Sequence, residues 1–175
     1  MRFAVLAAAL LPMLAGAAEG PTVAPAPNTV AVSPRLVTSA QPSREFLGTL
    51  GAQGFEVLLY LAPPTVGDAL PDEPLIAARQ GLVYVNIPVA WTAPTQRDFE
   101  SVSRVLDAYA DRKVYVHCQA NFRASSMVFL YRVIRLKEPP EAAWDALRGA
   151  WEPNPTWRAF ILETLKAKGV DFNPL

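Results

Sequence analysis

Apolar positions in this chain alternate between short continuous runs and stripes spaced by three and four residues. Leu36-Val37-Thr38-Ser39 predicts a short first strand. Ser43 then stands at an N-cap position ahead of Phe46, Leu47 and Leu50 at helical spacing, with Gly54 closing that helix. From Phe55 to Leu61 the sequence is almost wholly apolar, which predicts a strand buried on both faces. Ala62 to Pro74 is rich in Pro, Gly and Asp and reads as a loop, followed by a short helix up to Gln80. Gly81 leads into a third strand, Leu82 to Ile87, stopped by Pro88. Thr95 caps a helix whose apolar residues Phe99, Val102, Leu106 and Tyr109 repeat at helical spacing. Val114 to Val116 is the fourth strand. Met127, Val128, Leu130, Tyr131 and Ile134 then mark a buried helix that Pro139-Pro140 is expected to end. Two more helices follow, from Glu141 to Gly149 and from Pro155 to Lys168, the latter capped by Asn154 with Pro155 in its first turn. Strands alternate with helices, so the fold class is α/β, with a central, mostly parallel sheet of four to five strands flanked by helices.

The first residues follow another pattern. Met1-Arg2, an apolar run from Phe3 to Leu14 and then Ala15-Gly16-Ala17-Ala18 match a secretory signal peptide over residues 1–18. The run is shorter than the ~20 residues a spanning helix needs, and no cysteine follows it for lipid attachment. Residues 19–35 carry Pro21, Pro25, Pro27 and Pro34 and are expected to form an extended, unpacked lead-in. The folded domain is then residues 36–175, enough for one core. Export, in a bacterium most simply to the periplasm, is the expectation.

Sixteen basic residues balance sixteen acidic ones. Without a basic block, neither a nucleic-acid partner nor, after leader cleavage, a membrane partner is expected. The chain holds one cysteine and one histidine, adjacent in sequence, so no internal disulfide, metal set or cofactor is implied. Trp144, Trp151 and Trp157 read as packing residues of the C-terminal helices.

Candidate chemistry concentrates in Val114-Tyr115-Val116-His117-Cys118-Gln119-Ala120-Asn121-Phe122-Arg123-Ala124-Ser125. A strand ends on a His-Cys pair, a short loop follows, and a helix begins near an arginine. A thiol facing a helix N-terminus sits where N–H groups and the helix dipole favour an anion, the setting that makes cysteine nucleophilic. A lone cysteine in an apolar run is otherwise most often buried and inert. Arg123, five positions after Cys118, favours the reactive site. The loop lacks glycine, so any residue with positive φ is expected to be Asn121.

This segment resembles the phosphate-binding loop of cysteine-dependent tyrosine and dual-specificity protein phosphatases. It is closer still to the phosphatase-like domain of bacterial beta-lactamase-hydrolase-like proteins. Thr38-Ser39-Ala40-Gln41-Pro42-Ser43, Gly54-Phe55 and Ile87-Pro88-Val89 resemble further segments of that domain. The resemblance implies a phosphatase-like fold and hydrolysis of phosphomonoesters, of phosphotyrosine type or small aryl phosphates, through a phosphocysteine on Cys118. The substrate would be a phosphorylated small molecule or a phosphoprotein. Arg123 would grip the phosphoryl oxygens, Gln119, Ala120, Asn121 and Phe122 would supply cradle groups, and His117 would support the loop. Ser125 or Ser126 would offer a hydroxyl.

Two departures keep alternatives open. Four residues, not the usual five, separate Cys118 from Arg123, a spacing found in rhodanese-type sulfurtransferases. The loop after the third strand, Pro88 to Pro94, carries no acid to protonate a leaving group. Asp98 is the nearest candidate, and Asp68, Asp72 and Glu73 are others. A persulfide carrier on Cys118 and a non-catalytic anion-binding module are the competing readings.

Overall fold

The computed structural model describes residues 23–174. Among these the strands are β1 (Val30–Ser33), β2 (Leu36–Ser39), β3 (Val57–Tyr60), β4 (Val83–Asn86) and β5 (Val114–His117). The helices are α1 (Arg44–Leu47), α2 (Glu73–Arg79), α3 (Gln96–Ala108), α4 (Phe122–Ile134), α5 (Pro140–Ala150) and α6 (Pro155–Ala167). They build the expected α/β fold around one sheet of order β1-β2-β5-β3-β4. β2, β5, β3 and β4 are parallel, and β1 closes one edge antiparallel to β2.

The apolar runs explain the centre of the sheet. Every residue of β3 and β5 is buried, as a parallel sheet covered on both faces requires. Side chains alternate between faces. Leu58 and Tyr115 join Phe46, Leu47, Leu50 and Leu82 on the side of α1 and α2. Val57, Leu59, Val114 and Val116 join Phe99, Val102, Met127, Leu130 and Trp157 on the side of α3, α4 and α6. α4 lies almost wholly inside this second core.

Register then fixes the site. Ser39, His117, Tyr60 and Asn86 form one row across the carboxyl ends of the parallel strands. Cys118 is the next residue along β5, so it enters the crevice where open α/β sheets bind ligands.

Three expectations need correction. Residues 19–35 are not wholly an unpacked lead-in, because Val30–Ser33 pairs with β2 and Ala26 is buried. Val30 and Val32 alternate over too few residues to mark a strand by pattern, and only β2 gives them a partner. The predicted helix from Ser43 to Gly54 is regular only to Leu47 and continues as turns, with Gly54 at φ 80° before β3. Pro139-Pro140 does not end α4. That helix stops at Ile134, Lys137 turns the chain at φ 60°, and Pro140 opens α5, where its missing N–H costs nothing. The signal-peptide expectation at residues 1–18 lies outside the described residues, among which no helix is long and apolar enough to cross a membrane.

Candidate active site

β5 delivers His117 and Cys118, and α4 begins at Phe122. The connection is tight enough that Asn121 adopts φ 70°, the left-handed conformation expected of it in a loop without glycine. Asn tolerates this region better than most residues with a Cβ. The first N–H groups of α4 have no intrahelical acceptor and face outward with the positive end of the helix dipole.

Cys118 and Arg123 meet in one open pocket of about 460 Å³. Gln119, Ala120 and Phe122 line it from the loop, while Val66 and Trp91 line it from other connections. Cys118 is a free thiol with 0% exposure, seated at the pocket floor. Arg123 is 6% exposed. Its Nε donates to the carbonyl of Val89 at 3.0 Å, its Nη1 donates to Oε1 of Gln119 at 3.4 Å, and its guanidinium lies 5.2 Å from the ring centre of Trp91. These partners are all uncharged. A buried cation held by a carbonyl, an amide and a ring is a ready partner for an anion.

An aromatic wall flanks the guanidinium. Phe122 stacks on Trp151 with ring centres 4.4 Å apart and planes at 9°. Trp91 sits 5.5 Å from both Trp151 and Trp157, and its carbonyl accepts from Nε1 of Trp157 at 3.0 Å. Trp151 follows α5 instead of lying within it. Trp157 is packing, as expected, whereas Trp151 and Trp91 shape the site. The position of Trp91 at the carboxyl end of the third parallel strand in sequence, inside an otherwise small-residue loop, is the signal that marks it.

Beneath the loop, His117 and Glu73 form a buried pair. Nε2 of His117 lies 2.7 Å from Oε1 of Glu73, and the two side chains are 0% and 1% exposed. The carboxylate only accepts, so Nε2 carries a proton. Oε2 of Glu73 accepts from Nε2 of Gln41 at 3.1 Å. Tyr60 stacks on the imidazole at 4.7 Å. Burial, then the charge of Glu73, holds the Tyr60 phenol well above its ordinary range, so that face stays neutral. The lone histidine is held by Glu73 and Tyr60 and is not among the residues that line the pocket. Glu73, read from sequence only as one of several acids, is the partner that sequence could not single out. It lies 44 positions from His117, and nothing local marks it as buried.

The other site candidates separate. Gln119, Ala120 and Phe122 line the pocket. Asn121 is buried, its side chain turned away so that Nδ2 donates to the carbonyl of Asn28 at 2.7 Å. Ser125 is not placed to bind a ligand: its hydroxyl donates to the carbonyl of Asn121 at 2.7 Å, the back-bond of a helical serine. Asp98 is an N-terminal cap. Its Oδ2 accepts from the Thr95 N–H at 2.9 Å and Oγ1 at 2.8 Å, while Thr95 Oγ1 accepts in turn from the Asp98 N–H. This capping box occupies the carboxylate at the start of α3 and keeps it out of the pocket lining. Among the described residues no group of three or more His, Cys, Asp or Glu side chains could hold a metal ion.

The N-terminal segment reaches the same loop. Nδ2 of Asn28 donates to the carbonyls of Ala120 at 2.8 Å and Ala150 at 3.0 Å, returning the contact Asn121 makes to Asn28. Asn28 itself has φ 48°, so glycine is the substitution that removes the side chain without backbone strain. Each lost bond is worth on the order of 1 kcal/mol. Asn28→Gly is expected to lower kcat/KM roughly tenfold while Cys118 stays essential, measured by steady-state kinetics alongside thermal unfolding.

Comparisons with known proteins show the family and the fold. The family model described as "PTP-NADK: DSP-PTPase phosphatase fused to NAD+ Kinase" matches residues 26–152. A beta-lactamase hydrolase-like protein of Xylella fastidiosa (strain Temecula1 / ATCC 700964) is 30% identical over 108 residues, covering 60% of this chain and 25% of that protein. The chain thus spans about a quarter of the length of that relative. A DUF442 protein of Shewanella putrefaciens CN-32, assigned as a phosphatase, superposes with a TM-score of 0.74 at 29% identity, covering 82% of this chain and 94% of that one. TpbA of P. aeruginosa, solved in complex with phosphotyrosine, shares the fold at a TM-score of 0.64 and 16% identity, covering 81% and 90% of the two chains. With its family model matched over most of its length and its Cys-Arg loop at the carboxyl end of a parallel sheet, the chain belongs to the DSP-PTPase phosphatase family described as fused to NAD+ kinase.

Proposed function

We propose that this protein is a cysteine-dependent phosphomonoesterase for aryl phosphates of the phosphotyrosine type. The observation that carries the reading is the convergence of Cys118 and Arg123 on one pocket whose other lining residues, Gln119 apart, are apolar or aromatic. Cys118 attacks phosphorus, Arg123 holds two phosphoryl oxygens, and the N–H groups at the start of α4 hold the charge that develops in the transition state. The S–P bond forms as the ester bond breaks, and water then releases inorganic phosphate and returns the thiolate. Among the described residues Arg123 is the one cation in the lining, which suits a single phosphoryl group on an apolar body better than a polyanion. The leader read in residues 1–18 makes export part of the proposal.

The test is turnover by the reduced protein of p-nitrophenyl phosphate, phosphotyrosine and an alkyl phosphate of similar size, with Cys118→Ser as control. Aromatic contacts of this kind contribute ~0.5–1.5 kcal/mol, so phosphotyrosine is expected to exceed the alkyl ester by roughly tenfold in kcat/KM. The four-residue spacing favours one second reading, a rhodanese-type sulfurtransferase. Sulfur transfer from thiosulfate to cyanide without phosphate release from any ester would establish that chemistry instead.

A further inference from the structure

The carboxylates near the pocket have been assigned to different tasks by the fold. Asp98 closes the capping box of α3. Asp72 is gripped by Arg44, which donates from Nε at 3.1 and 3.0 Å and from Nη2 at 2.7 Å. Glu73 is buried beneath the loop on His117 and Gln41. Asp68 remains.

Asp68 stands in the connection between β3 and α2, two residues after Val66, which lines the pocket. Its Oδ1 accepts from Nε2 of Gln119 at 2.8 Å, and Gln119 directly follows Cys118. The other end of the same amide, Oε1, accepts from Nη1 of Arg123 at 3.4 Å. A single glutamine thus links this acid to the guanidinium that would grip a phosphoryl group. Asp68 is solvent-exposed, so it can reload its proton from water, and Oδ2 is left to carry it.

We propose that Asp68 is the general acid of this site, supplied from the connection after β3 because the connection after β4 carries no acid. The assignment rests on the phosphomonoesterase reading above. As the S–P bond forms and the P–O ester bond breaks, the electron pair of that bond goes to the leaving oxygen, which takes the proton of Asp68. In the second step the Asp68 carboxylate takes a proton from water as the water oxygen bonds to phosphorus. The S–P bond breaks and its electron pair returns to Cys118. The products are the free alcohol or phenol and inorganic phosphate, and both residues are restored.

The experiment compares Asp68→Asn with the wild-type protein on p-nitrophenyl phosphate and phenyl phosphate across pH. A general acid contributes ~10²–10⁴-fold where the leaving oxygen needs a proton. Asp68→Asn is expected to lose kcat/KM in that range on phenyl phosphate, to lose far less kcat/KM on p-nitrophenyl phosphate, and to lose the basic limb of the kcat/KM profile. Asp98→Asn, which touches only the cap, is expected to change both substrates slightly and equally. Equal loss of kcat/KM on the two substrates in Asp68→Asn, or none on either, overturns the assignment. A wild-type protein with no Cys118-dependent turnover of either ester overturns the phosphomonoesterase reading itself, so the two failures are told apart.

Discussion

Cys118→Ser is expected to remove essentially all phosphatase activity, a loss of about 10⁴-fold or more, because removing a covalent nucleophile leaves only what the binding groups contribute. The change is nearly isosteric. Cys118 is buried at the pocket floor without a disulfide partner, so the variant should fold and keep its affinity for the substrate. The alkoxide needed for serine to act lies far from neutral pH, and the one histidine is already paired with Glu73. Thermal unfolding near the wild-type midpoint, together with lost turnover, separates chemistry from stability. Residual turnover within a few fold of wild type would mean that another group does the chemistry.

Arg123→Lys is the second large expected effect, a loss of ~10²–10³-fold, the range found when one preorganised donor is removed from an oxyanion site. The charge is kept, so what the variant loses is geometry. The guanidinium is planar and fixed by Val89 on one side and the Trp91 ring on another. That arrangement aims its remaining N–H groups in a fork matching two phosphoryl oxygens. An ammonium is a single point charge on a flexible stem. It also leaves the buried Val89 carbonyl without its partner. Phosphate, the product of the proposed reaction, is expected to bind the variant more weakly by a similar factor. Equal inhibition of both proteins by phosphate would show that Arg123 does not grip the anion.

The parts of this molecule that were legible in sequence are those governed by local chemistry. The continuous apolar runs marked β3 and β5, the Ser43, Thr95 and Asn154 caps each accept the N–H they were placed to accept, and the missing glycine pointed to Asn121. The His-Cys-loop-Arg segment named the pocket because its neighbours in sequence are its neighbours in space. What escaped depends on distant pairing. β1 is a strand only because β2 lies beside it. Glu73 is buried only because the chain between β3 and α2 folds it under His117. Asp68 and Asp98 look alike in sequence, each an acid near a loop, and only the contacts to Gln119 and to Thr95 distinguish them. Ser125 follows the same logic: its hydroxyl had a nearer acceptor in its own helix.

In the proposed reaction the phosphoryl group passes through Cys118. Rapid acid quench of the Asp68→Asn variant during p-nitrophenyl phosphate turnover, followed by mass spectrometry of the peptide containing Cys118, tests it directly. A phosphoryl adduct on Cys118 is expected to accumulate, because water is activated poorly without the carboxylate, and to be absent from Cys118→Ser. Turnover with no adduct on that peptide, or an adduct on another residue, would contradict it.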